Sequence, residues 1–187
     1  MHVGACLFHR YNKILPLNAM SDELFGRIIP EALKSLDADN EEEKSTAIDR
    51  LGQILSQNQS DLRERGYDRL IFQRLMDIVG YSDGQALAKA LDVIHEHFIV
   101  KHKDYADTLD QIMETLLRRT AMSNEFPTVQ ICAQHINQLV DNMGSAVAKH
   151  SKQLLQMVDS NNFPDINHTL IELLNKIKCQ LPATLVP

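Results

Sequence analysis

The sequence predicts an all-α protein, an α-solenoid of about four antiparallel helical pairs. Three observations carry that expectation. Every apolar pattern has the i, i+3, i+4, i+7 spacing of a helix face, and none alternates with the period of two that a half-buried strand needs. The 187 residues include 7 glycines and 6 prolines, few for a loop-rich fold, and aromatics make up 5%, so leucine, isoleucine and alanine dominate the apolar content. That balance favours helices over sheets. The turns recur at a near-constant interval: Asp39, Asp83, Glu125 and Asn162 mark steps of 44, 42 and 37 residues. A chain of this length can bury roughly 70% of its unfolded surface and needs no staples.

Taken in order, residues 1–20 are too mixed for a signal peptide, because their apolar residues never form a continuous core. They read as a segment preceding a helical repeat domain over 21–182, with 183–187 as a tail. Residues 22–36 place Leu24, Phe25, Ile28, Ile29, Ala32, Leu33 and Leu36 on one face, with Ser21 as N-cap and a kink expected at Pro30. The turn DADNEEE follows, where Asp39 and Glu42 are spaced like a capping box. Ala47, Ile48, Leu51, Ile54 and Leu55 mark the partner helix.

The same unit recurs three times. Leu70, Ile71, Leu75, Ile78 and Val79 give a helix, GYSDG at 80–84 breaks it, and Leu87, Ala90, Leu91, Ile94 and Phe98 give its partner. Leu109, Ile112, Met113, Leu116 and Leu117 pair with Val129, Cys132, Ala133, Ile136 and Val140. Leu154, Leu155 and Val158 pair with Ile166, Leu170, Leu173, Leu174 and Ile177. NEFP at 124–127 and NNFP at 161–164 lie 37 residues apart, each with a proline where a first helical turn has no use for its N–H. Two helices per unit and no strand signal describe a HEAT- or armadillo-type array. The stretch IIPEALKSLDADNEEEKSTAIDRLGQIL, residues 28–55, resembles a HEAT repeat in detail: an early proline, an acidic turn, then an alanine- and leucine-spaced second helix.

Little in the sequence points to chemistry. The net charge of −6 argues against generic binding to nucleic acid or anionic membrane, and no apolar run reaches the length of a membrane span. Cys6, Cys132 and Cys179 form no ligand spacing and fit a reducing, cytoplasmic compartment; Cys132 and Cys179 fall on apolar faces and read as core. Asn58 and Asn167 begin glycosylation sequons read as chance. HEHFIVKHKDY, residues 95–105, crowds three histidines together. His95 and His97 are two apart on a helix and point to different sides, the chain turns before His102, and no thiolate is near. No metal and no cofactor are expected; the stretch reads as a helix end and a connection, and His135 and His150 read as solvated. There is no phosphate loop, GxSxG, HExxH or EF-hand loop, so no enzyme is expected.

AIDRLGQILSQNQ, residues 47–59, and FIVKHKDYADTLDQIMETLLRR, residues 98–119, resemble a TOG domain, the HEAT array of CLASP-type microtubule regulators. The resemblance runs from residue 41 to about 143. It implies a fold of up to six HEAT repeats, a cytoskeletal role in the cytoplasm, and binding of tubulin, or association with a microtubule-associated protein, along the edge formed by the turns within each pair. On this chain those turns are Asp39, Asn40, Glu41 and Glu42; Tyr81, Ser82 and Asp83; Asn124, Glu125 and Phe126; and Asn161, Asn162 and Phe163. Glu41 stands where the family has a tryptophan, and stretches 37–43, 80–85, 120–128 and 159–165 hold no Lys or Arg where the family places cations. Those departures keep a second reading open, a general HEAT scaffold for another protein complex, such as one in kinase maturation or transport. The opposite edge is more basic, with Arg63, Arg65, Lys101, Lys103 and Lys149.

Overall fold

The computed structural model describes residues 22–100, 106–160 and 163–180; the segment 1–20, Ser21, Cys6, the connection 101–105, Asn161, Asn162 and residues 181–187 lie outside the described residues. Among the described residues the chain is all-helical, without a strand. A π turn, Leu24–Ile28, runs into α1, Ile29–Ser35. Then come α2, Glu41–Gln57; α3, Gln59–Glu64; α4, Tyr67–Tyr81; and α5, Gly84–Ile94, which continues as a π segment, His95–Val100. Next are α6, Ala106–Met122, and α7, Phe126–Met143. A 3-10 segment, Gly144–His150, leads to α8, Ser151–Ser160, and α9, Pro164–Gln180.

The disturbance expected at Pro30 takes the form of the π turn. Ile29 N–H reaches back five residues to the Leu24 carbonyl. Pro30 has no N–H to offer the carbonyl four residues before it, and its ring crowds that carbonyl, so the turn widens. The cap of α2 corrects the sequence reading. Asn40, not Asp39, is the N-cap: its side-chain oxygen accepts from Glu42 N at 2.8 Å and Glu43 N at 3.3 Å. Asp39 lies one residue too far from the first turn to reach those donors. The short α3 was not expected, because Leu62 is the only apolar residue among its six and no period can form. Gly66, at φ +74°, ends it and starts α4 in a left-handed conformation that a side chain resists.

α1 packs on α2, α4 on α5, α6 on α7 and α8 on α9. Between pairs, first helices meet first helices, α4 on α6 and α6 on α8. Second helices meet second helices, α2 on α5, α5 on α7 and α7 on α9. The result is two layers with one apolar core between them, running from Phe25 to Ile177. Leu91, Ile136 and Leu173 are each at most 2% exposed. Leu70 and Leu155, expected on the buried faces, are instead 45% and 55% exposed. Each sits beside a residue that takes the inward position, Ile71 and Leu154, and neighbours on a helix point about 100° apart. Cys179 is exposed for the same reason, two residues past the buried Ile177.

Ion pairs stitch each pair to the one before it. Arg74 meets Asp37, Lys89 meets Asp49, Arg119 meets Asp83, Lys149 meets Asp110, and Lys176 meets Asp141. In all five the later residue is the cation and the earlier one the acid. Exposed pairs of this kind contribute roughly 0–1 kcal/mol each, so they set register more than stability.

Candidate interaction edge

The turn that closes the second pair is held by its neighbours on both sides. Asp83 precedes α5 but makes no side-chain cap of its own helix. Its carboxylate instead accepts from Arg119 Nη2 at 2.5 Å and Thr128 Oγ1 at 2.7 Å, both from the third pair. Arg119 also donates to the Ser82 carbonyl at 2.5 Å and the Gly80 carbonyl at 3.4 Å. From the first pair, Glu41 Oε1 accepts from Ala86 N at 2.8 Å, so an acid of α2 caps the start of α5. Gly84, at φ +57°, brings that backbone close; a Cβ there would stand 3.9 Å from Glu41 Oε1. Both Glu41–Ala86 and Asp83–Thr128 span 45 residues.

These contacts divide the expected edge into two kinds of residue. Asn40, Glu41, Ser82 and Asp83 are committed to structure. Asp39, Glu42, Asn124 and Glu125 are exposed. Tyr81 is 79% exposed at the last residue of α4, and Met122, at the matching end of α6, is 75% exposed. Phe126 is 38% exposed, and its ring meets Phe163 edge-on with centroids 5.5 Å apart, so the third and fourth turns are in contact.

Hollows follow the edge, two of them beside the second turn. One, of about 480 Å³, is lined by Glu41, Lys44, Tyr81, Ser82, Asp83, Gly84 and Gln85. The next, of about 220 Å³, is lined by Gly80, Asp83, Arg118, Arg119, Met122 and Ser123. Asp83 borders both. The sequence reading missed Lys44, Arg118, Arg119 and Met122, because it counted only the turns and these lie on helices that packing brings alongside. The basic pair ending METLLRR was the available signal.

The histidines correct two expectations. His135 and His150 are 8% and 5% exposed rather than solvated. His97 is buried and hydrogen-bonds Ser56 Oγ at 3.4 Å, while His95, on the other side of its helix, hydrogen-bonds Asn142 Nδ2 at 3.2 Å. His102 lies outside the described residues. Among those described, no three of His, Cys, Asp and Glu gather as metal ligands, and no helix is long and apolar enough to cross a membrane.

No protein-family model, curated protein or solved structure matches the chain.

Proposed function

We propose that this chain is a non-enzymatic protein-binding module, an α-solenoid of HEAT-like pairs that recognises its partner along the turns within pairs. The observation that carries the reading is the row of Tyr81, Met122 and Phe126, large apolar side chains exposed at the turns within the second and third pairs, on one edge. Aromatic and methionine side chains are enriched at interface centres, and Tyr supplies contact area at little entropic cost. The array reading is supported by the reach of the polar contacts. Those given above between pairs join each pair to an adjacent one, over 35 to 47 residues. Neighbour-only contact is the hallmark of repeat architectures.

A second, narrower reading is a TOG-like tubulin binder. It is favoured by Lys44 and Arg118, which put cations beside the hollows although the turns contain none. Both readings are tested by sedimentation velocity with purified tubulin heterodimer and by photo-crosslinking from position 81 in cells. Crosslinking to one protein from position 81, but not from exposed Lys152, supports the edge. Tubulin co-sedimentation that Arg118→Glu abolishes selects the second reading. Equal crosslinking from both positions argues against the edge. Glu41 is unsuited to such a test, since reversing its charge also uncaps α5.

A further inference from the structure

Each junction between successive pairs holds a buried histidine facing a residue of the neighbouring pair. His97 meets Ser56, His135 meets Asp92, and His150 meets Asp110. We propose that the middle junction, α5 on α7, is a proton-operated hinge: protonating His95 and His135 loosens the third pair from the second.

Hydrogen-bond polarity is the first argument. Asn142 on α7 donates one amide hydrogen to the Gln138 carbonyl at 2.8 Å, which fixes which end of the amide is nitrogen. Its other hydrogen points to His95 Nε2 at 3.2 Å. That nitrogen must therefore be an unprotonated acceptor. A proton there sets donor against donor, and turning the amide over sacrifices the bond to Gln138. The junction accepts one charge state only.

Charge is the second argument. His135 Nε2 lies 3.8 Å from Asp92 Oδ1, beyond a hydrogen bond, and the Asp92 side chain is 72% exposed, where water competes for it. Several charges on the packed elements pair away from the two rings. α2 gives Asp49 to Lys89, α4 gives Arg74 to Asp37, and α6 gives Arg119 to Asp83. α9 gives Lys176 to Asn137 and Asp141, and the 3-10 segment gives Lys149 to Asp110. Glu96, next to His95, lies 3.8 Å from His97 instead. Burial holds both His95 and His135 below the ordinary imidazole value of 6.5, and the pull of Asp92 does not overcome it. The folded chain thus resists a proton that the unfolded chain accepts. Stability at this junction is complete above 6.5 and is lost as pH falls from 6.5 toward the lowered values.

The last junction is built the opposite way. His150 Nε2 faces Asp110 Oδ1 at 3.3 Å and Nδ1 faces Gln153 Oε1 at 2.9 Å, so this ring meets two oxygens where His95 meets an amide nitrogen.

Native-state amide exchange of the full chain at pH 7.5 and 5.5, expressed as protection factors, tests this. Protection in α7 should fall by at most about tenfold for each histidine, since pH 5.5 lies one unit below the unfolded value of 6.5, while α9 stays within twofold. His95→Gln, which still accepts from Asn142 but cannot be protonated, should reduce the response, and adding His135→Gln should remove most of it. Uniform loss across all helices, no loss in α7, or an unchanged response in the variants would overturn the hinge. Should the variants not fold, the ring titration of wild-type His95 by NMR decides: a midpoint below 6.5 supports the hinge, and one at or above it does not. No partner is needed, so the outcome is independent of the recognition edge.

Discussion

Cys132 and Cys179 both sit on second helices, yet their thiols meet opposite surroundings. Cys132 is fully buried beneath Arg119, and desolvation pushes its thiol up to about 11 despite the nearby guanidinium. Cys179 is exposed. Since the thiolate is the reactive form, maleimide at neutral pH should label Cys179 within minutes and leave Cys132 untouched until denaturant is added. Mass spectrometry of tryptic peptides reads this directly, and native labelling of Cys132 would contradict its burial. The sequence identified Cys132 as core but misplaced Cys179, because a helical period defines a face while the width of the buried stripe depends on what packs against it. The same limit hid His135 and His150. Their polarity suggests solvent, and only the neighbouring helix supplies the partners that make burial tolerable.

At the level of elements, the long helices were legible because their apolar residues repeat over roughly two to three turns. α3 and the 3-10 segment were not, since each is shorter than two helical periods and is fixed by its flanks; the π turn was legible only as a kink at Pro30. The start of α2 shows how one residue of register matters. Asn40→Ala should destabilise the protein by about 1 kcal/mol, within a range of roughly 0.5–2. Asp39→Ala, one position earlier, should change it by roughly 0.5 kcal/mol or less, as surface substitutions do. Paired urea melts decide, and the reverse order would restore the capping box read from the sequence. The turns carrying the candidate edge were legible as turns from GYSDG and the two proline-bearing repeats. Which of their residues are free was not. Glu41 and Asp83 read as exposed acids, and only the approach of Ala86 and Arg119 from neighbouring pairs shows them to be fasteners.

Across the whole molecule, the five ion pairs have a direction: acid first, cation later. A chain is made from its N-terminus, so each pair that emerges carries the cation and finds its acid already in place. Closing contacts over 35 to 47 residues costs little loop entropy, and each step needs only the structure already formed. Whichever partner carries the charge, each pair that emerges meets contacts its predecessor already holds. A fragment spanning residues 22–143 keeps three of the four pairs and should be helical with a cooperative thermal transition by circular dichroism. A fragment spanning 106–180 loses Asp83, the acid that Arg119 was made to meet, and should melt lower or not fold at all. On the ribosome, the protein would grow as a column grows, each course laid on one already set.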